Sequence, residues 1–196
     1  MSGRATFTLF VVMATALITT PALAAIESFD ATPLEPSFGS YTEIDFENLH
    51  LDSDCLLPLP GTSITSIRID RVTFSNPYSL QTGLCSSPTC SPDPDNPDGV
   101  NNELFLSGGG SIAFDRPNPK LVVLDVQGIG DNSFELLVTG GNGDTLVVSS
   151  QGVLFGRTLL GMRASGNGIK RIDLTNVGGT GGPIALARIL YSQSGH

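Results

Sequence analysis

Apolar and polar residues alternate along most of the chain after residue 40. Ile44 and Phe46, for example, alternate with Asp45 and Glu47. The same alternation recurs at residues 67–69, 72–74, 134–138 and 146–148. Successive side chains of a β-strand point to opposite faces, so this period of two predicts strands that each bury one face.

Two departures from this alternation add further expectations. The alternating apolar residues have odd numbers up to Ile69 and even numbers from Val72 onward, a change that one inserted residue would cause. We therefore predict a β-bulge near Asp70. The segment from Leu121 to Val126 is an apolar run on both parities, which predicts a central strand that is buried on both faces.

Glycine-rich segments separate the predicted strands. Residues 140–143 contain three glycines and lie between two alternating segments. They predict a hairpin, because glycine readily adopts the positive φ that such turns require. Residues 108–110 and 166–168 are interpreted as further turns. We count about ten strands at a spacing of roughly 8–12 residues, which is typical of all-β sandwiches and barrels, and no substantial helix after residue 24.

The first 24 residues have the pattern of a secretory signal peptide. Arg4 precedes an apolar run from Leu9 to Ile18, and Ala22-Leu23-Ala24 supplies the small residues that a signal peptidase requires. The apolar run is only about half of the roughly 20 residues that span a bilayer. We predict cleavage after Ala24, secretion to the extracellular space or to a bacterial periplasm, and no membrane anchor.

Removal of 24 residues from 196 leaves 172, which is the length of one domain. A chain of this size buries about 70 % of the surface that it exposes when unfolded. We predict an extended N-terminal arm over residues 25–40, where Pro33 and Pro36 occur. A single β-sandwich domain over 41–196 follows, with a long loop at residues 76–102.

The charge of the chain excludes some classes of partner. The formal net charge is −9, and loss of Arg4 with the signal peptide makes it −10. Nucleic acid is a poor candidate, because neutralising its phosphates requires clustered Lys and Arg. Anionic membranes are disfavoured for the same reason. Charged residues make up only 15 % of the chain, whereas 23 residues are glycine, which is typical of a turn-rich sheet protein.

Three cysteines fall outside the signal peptide: Cys55, Cys85 and Cys90. An oxidising compartment favours pairing, but three cysteines cannot all pair within one chain. The chain-entropy gain differs too little between the possible bridges to decide among them. We predict a Cys85–Cys90 disulfide because these two are closest in sequence, with Cys55 free or buried.

The acidic segment after Cys90 is the candidate metal site. Asp93, Asp95, Asp98 and Glu103 supply oxygen ligands near Gly99, the kind of residue that allows the sharp turn of a calcium loop. The match to an EF-hand fails, because Pro97 occupies the third ligand position. The alternatives are therefore a Ca²⁺ site and a solvated loop whose carboxylates are screened by water.

Two other groups of residues are candidates for binding or catalysis. Tyr78 and Asn76 lie in a polar loop, where an aromatic ring could stack on a sugar while the amide forms hydrogen bonds. The alternative is that the ring of Tyr78 folds back over the core. Asp45 and Glu47 share a strand face, and paired carboxylates can hydrolyse glycosides when held across a cleft. Alternating acids on an exposed strand face are the alternative.

Several segments together resemble a known group of domains. They are residues 121–126, 134–138, 160–164, 168–174 and 184–191. Over about residues 41–75 and 103–191 the chain resembles secreted jelly-roll ectodomains of bacterial surface and matrix proteins, including exosortase-sorted ones. These are similar to galactose-binding-like carbohydrate modules. The resemblance implies a jelly-roll β-sandwich; no binding residue is carried over, and Ala187-Arg188 stands where such domains often have acidic residues.

Three hypotheses of function follow. The first is a secreted, non-catalytic binding protein for a carbohydrate or another extracellular surface component, with Tyr78 and the 76–102 loop as candidate contacts. The second is a secreted effector or elicitor that acts on a host or competitor. The third is a glycan-active enzyme that uses Asp45 and Glu47; overall the sequence favours a protein that is not an enzyme.

Overall fold

A computed structural model describes residues 26–32, 41–46, 65–77, 80–82, 103–128, 133–149, 158–178 and 183–192. Within these ranges the chain forms thirteen strands and no α-helix. None of the described residues belongs to a helix that is long and apolar enough to cross a membrane. All the strand pairings are antiparallel.

The strands form a seven-stranded sheet and a six-stranded sheet. The seven-stranded sheet contains β1 (Ile26–Asp30), β2 (Thr42–Asp45), β5 (Leu80–Thr82), β6 (Leu104–Ser107), β8 (Leu121–Gly128), β11 (Thr158–Ala164) and β13 (Pro183–Ser192). The six-stranded sheet contains β3 (Ser66–Ile69), β4 (Val72–Ser75), β7 (Gly109–Phe114), β9 (Ser133–Gly140), β10 (Thr145–Ser149) and β12 (Ile169–Gly178).

The last eight strands pair in a nested order. Strand β9 pairs with β10, β8 with β11, β7 with β12, and β6 with β13. The pairs β6–β13 and β8–β11 lie in the seven-stranded sheet, and the other two lie in the six-stranded sheet. This nesting of antiparallel pairs in two sheets defines a jelly roll, so the predicted fold class is confirmed.

The core lies between the two sheets and consists of the alternating apolar positions. The rings of Phe46 and Phe74 meet edge to face, with their centroids 5.4 Å apart. Phe114 and Tyr191 make a similar contact at 6.0 Å. Such edge-to-face pairs add to the free energy gained from burying apolar area. Burial raises the pKa of Tyr191, because the charged phenolate is poorly solvated there.

Strand β8 is buried on both faces, as the apolar run predicts. It lies between β11 and β13 in the middle of its sheet. Val122 and Leu124 belong to the main core, whereas Val123 packs on the outer face. The residues packed in the outer cluster with Val123 are Ala31, Leu190, Phe29, Tyr41 and Leu159. The outer face of this sheet is therefore partly covered by the N-terminal segment.

The prediction of a bulge near Asp70 is wrong. Ile69 pairs directly with Val72, so Asp70 and Arg71 form a two-residue hairpin turn between β3 and β4. Such a turn pairs an odd-numbered residue with an even-numbered one. The core-facing residues therefore have odd numbers before the turn and even numbers after it, which is the pattern that one inserted residue would also give. Asp70 has a φ of 53°, in the left-handed region that Asp tolerates better than most residues.

The predicted N-terminal arm contains a strand of the sandwich. Ile26–Asp30 pairs with β11 along its whole length, at the edge of the seven-stranded sheet. Ile26 enters the main core. The ring of Phe29 occupies the space that a side chain at Gly161 would need. The guanidinium of Arg163 lies 5.3 Å from the centre of the Phe29 ring. The sandwich thus includes residues that precede position 41.

Gly109 offers a test of how closely the strands of the six-stranded sheet approach. A Cβ atom at Gly109 would lie 2.5 Å from the carbonyl oxygen of Leu174, and the residue has a φ of 125°. We expect Gly109→Ala to lower the free energy of unfolding by about 2 kcal/mol or more, because backbone cannot yield as a flexible side chain can.

The control is Gly178→Ala, in β12. Its Cβ would lie 3.9 Å from the nearest atoms, which belong to Ser133, so we expect a change within about 0.5 kcal/mol. Denaturant unfolding of both variants measures the difference. Equal stability of the two variants would contradict the close approach at Gly109.

Candidate binding surface

A groove of about 680 Å³ crosses the outer face of the six-stranded sheet and is open to solvent. It spans β3, β4, β7 and β12, which are adjacent strands. The lining residues are Thr65, Ser66, Ser75, Asn76, Pro77, Gly108, Gly109, Gly110, Ser111, Arg171, Asp173, Leu174 and Thr175. Small and hydroxyl-bearing residues predominate among them, which leaves room for a ligand on the face of the sheet.

Four polar side chains form a row across the strands of this groove. Ser66 is opposite Ser75, Ser75 is opposite Ser111, and Ser111 is opposite Asp173. The hydroxyl oxygens of Ser66 and Ser75 are 3.2 Å apart. At about 4.8 Å between neighbouring strands, the row is about 14 Å long. Each member points outward because its strand neighbours point into the core.

Arg171 and Asp173 form a close ion pair at one end of the row. Nε of Arg171 donates to both carboxylate oxygens, at 2.7 and 2.9 Å. Its Nη2 lies 2.6 Å from Oδ1. The hydrogen bond to Asp173 raises the pKa of Arg171. An exposed pair contributes little to stability, but this one holds both polar groups in a fixed orientation beside the groove.

Three glycines line the groove: Gly108, Gly109 and Gly110. A Cβ atom at Gly110 would lie 2.8 Å from the carbonyl oxygen of Ser75 and 3.0 Å from Cδ2 of Leu106, on the core side of the sheet, because Gly110 is opposite the buried Leu174. Gly108, in the turn that carries the chain from β6 to β7, has a φ of 72°. Gly109 is opposite the exposed Thr175, so the lack of a side chain at Gly109 leaves space in the groove.

Asn76 lines the rim of the groove, and its side chain is only 1 % exposed. Its amide nitrogen Nδ2 donates to the carbonyl oxygen of Gly109 at 2.9 Å. Its backbone N–H donates to the carbonyl oxygen of Thr65 at the same distance. The side chain thus connects the end of β4 to the start of β7. A direct contact between Asn76 and a ligand stays a prediction.

Most other predicted site residues lie outside the described ranges. These are Tyr78, Glu47, Asp93, Asp95, Asp98, Cys55, Cys85 and Cys90. Glu103, the last of the proposed calcium ligands, directly precedes β6 and is 9 % exposed. Among the described residues, no three His, Cys, Asp or Glu side chains come together as metal ligands would. The calcium loop and the Cys85–Cys90 disulfide remain predictions.

A second group of charges lies on the outer face of the seven-stranded sheet. Asp125 is 2 % exposed, and its Oδ2 accepts a hydrogen bond from Nε of Arg188 at 3.0 Å. Nη1 of Arg188 also lies 3.6 Å from Oε1 of Glu43. Asp45, one of the two carboxylates considered for catalysis, is opposite Arg188 on β2. Asp125, Glu43 and Asp45 thus lie near Arg188 on the seven-stranded sheet, whereas the groove is on the six-stranded sheet.

The Asp125–Arg188 pair is absent from the predictions made from the sequence. Asp125 is the single charged residue in the run from Leu121 to Val126, and a charge at that place is a usable signal of a buried ion pair. Buried carboxylates require a partner, and Arg188 in the last strand is one. The arginine that stands where an acid was expected therefore has a structural reason.

We expect Asp125→Asn to lower the free energy of unfolding by about 1–3 kcal/mol, because it removes the buried carboxylate that accepts a hydrogen bond from the partly buried Arg188. Asp115→Asn is the matched control. Asp115 pairs with Arg68 on the surface, where the two side chains are 42 % and 62 % exposed, and such pairs contribute at most about 1 kcal/mol. Unfolding curves in urea compare the two; a larger loss for Asp115→Asn would contradict this ranking.

The chain has distant structural similarity to some solved proteins. No protein-family model matches the chain. No curated protein matches it at the level taken as significant. Solved structures with similar folds include a family 6 carbohydrate-binding module, 18 % identical, which covers 59 % of this chain and 82 % of its own, with a TM-score of 0.32.

Two further solved structures belong to the same comparison. CsCBM6-3 from Clostridium stercorarium, in complex with cellobiose, is 17 % identical over 61 % of this chain and 96 % of its own, with a TM-score of 0.29. A glycoside hydrolase family 43 arabinoxylan arabinofuranohydrolase from Bacillus subtilis is 15 % identical over 60 % of this chain and 25 % of its own, with a TM-score of 0.34. These superpositions are too loose to transfer a site, and the jelly-roll assignment rests on the strand pairing.

Proposed function

We propose that this protein binds carbohydrate without catalysis, and that the groove on the six-stranded sheet is the binding site. The observation that carries the proposal is the row of hydroxyls that ends at the Arg171–Asp173 pair. The groove is open to solvent, although Ser111 itself is only 7 % exposed. The row lies on paired strands, so its groups are held in place before a ligand arrives.

The groups in the row match the hydrogen-bonding character of a sugar. Each sugar hydroxyl can donate and accept, as each serine hydroxyl can. Arg171 has five N–H donors, and the bonds to Asp173 leave some of them for a ligand. The carboxylate of Asp173 accepts hydrogen bonds. Fixed donors and acceptors of both kinds reduce the entropy cost of binding a polyhydroxylated chain.

The geometry favours binding over hydrolysis. Glycoside hydrolysis ordinarily requires two carboxyl groups on opposite sides of the scissile bond. Among the described residues that line the groove, Asp173 is the single carboxylate, and it is held by Arg171. Asp45 lies on the other sheet, opposite Arg188. The groove therefore supports a binding module better than an active site.

Thr175→Met tests the groove. Thr175 is exposed and lines it, so methionine would fill space and remove a hydroxyl without adding charge or an aromatic ring. We expect at least about a tenfold loss of affinity for the best-bound polysaccharide, which corresponds to about 1.4 kcal/mol. Affinity electrophoresis or calorimetry measures it.

Thr42→Met is the matched control. Thr42 is also exposed and lies on β2 of the seven-stranded sheet, away from the groove. The affinity of Thr42→Met should equal that of the wild type, and unfolding curves should show that both variants are folded. Equal affinity of the two variants would place the carbohydrate site elsewhere. Failure of the wild type to bind any polysaccharide would overturn the proposal.

We also propose that the protein acts outside the cell, on the strength of its first 24 residues. If so, material recovered from the medium or the periplasm should begin at Ala25. N-terminal sequencing or intact-mass measurement checks this. Recovery only of uncleaved chain from the cytosol would contradict it.

A further inference from the structure

An apolar surface continues the polar row beyond the groove. Asp173 is opposite Leu137 on β9, and Leu137 is opposite Val147 on β10. Leu137 is 39 % exposed and Val147 is 56 % exposed, and because they are cross-strand neighbours they form one apolar surface. One straight row across the six-stranded sheet therefore changes from hydroxyls and an ion pair to exposed aliphatic side chains.

The whole row is long enough for an extended ligand. It crosses all six strands of the sheet, and at about 4.8 Å between strands it measures about 24 Å. The groove accounts for roughly the first 14 Å, and the Leu137–Val147 surface for the remainder. A single sugar ring would occupy only part of this length. A linear chain lying across the strands would contact both parts.

The charges along the row are balanced. The cation Arg171 is paired with Asp173. In the neighbouring row, the cation Arg68 is paired with Asp115. Glu135 is opposite Thr175 at the edge of the groove and adds a negative charge there. With a chain of formal net charge −9, this surface would repel an acidic polysaccharide.

We propose that the ligand is a linear, uncharged glycan that lies across the strands, with hydroxyls on the Ser66–Asp173 part and C–H faces on Leu137 and Val147. This inference rests on the proposed function of the groove and specifies its ligand. Sugar rings present apolar C–H surface as well as hydroxyls, and burying that surface against aliphatic side chains is favourable.

The test uses neutral polysaccharides of the cellulose, xylan, mannan and β-1,3-glucan types, with polygalacturonate and alginate as acidic probes. Affinity for the neutral class should change little with salt and should rise with oligosaccharide length. The double variant Leu137→Thr/Val147→Thr should bind long neutral oligosaccharides about three- to tenfold more weakly and short ones as the wild type does. Val177→Thr is the control, because Val177 is 49 % exposed on β12 but lies outside the row.

The outcomes separate the two proposals. Preferred binding of an acidic polysaccharide, weakened by salt, would overturn the uncharged ligand and leave the groove as a carbohydrate site. Neutral binding that the double variant does not weaken, or that Val177→Thr weakens equally, would overturn the extended contact alone. Absence of binding to every probe would overturn the proposed function, and this inference with it.

Discussion

The burial of alternating apolar side chains between two sheets is the constraint on which the rest of this structure depends. Because every second residue must enter the core, the residues between them are committed to the outer faces. Phe74, Ile112 and Leu174 are buried, so Ser75, Ser111 and Asp173 are turned outward in one row. The candidate site is thus a product of the same register that builds the core.

The two outer faces of the sandwich differ in what covers them. On the seven-stranded sheet, Phe29 and Tyr41 pack over Val123 and Leu190, and the buried carboxylate of Asp125 is neutralised by Arg188. On the six-stranded sheet, Gly109 lies too close to β12 for a side chain, and the groove beside it is open to solvent. One face is covered, and the other carries an open groove.

Alternation along the chain was enough to predict most strands, their buried faces and the central position of β8. The parity change at Asp70 cannot distinguish a two-residue turn from a bulge, because both give the same pattern. The groove could not be predicted, since Ser75, Ser111 and Asp173 become neighbours only through strand register. The candidates Tyr78 and Asn76 rest on local composition alone, and composition cannot show that Asn76 is buried.

The nested strand pairing has a consequence for how the molecule acquires its structure. Its outermost pair joins Leu106 to Ile184, so distant parts of the chain must meet before either sheet is complete. Folds dominated by such long-range contacts have high contact order and fold slowly. A nascent chain that emerges N-terminus first would therefore carry exposed, unpaired strands until β13 is available, and the last strand to appear would govern when the protein becomes resistant to aggregation and proteolysis.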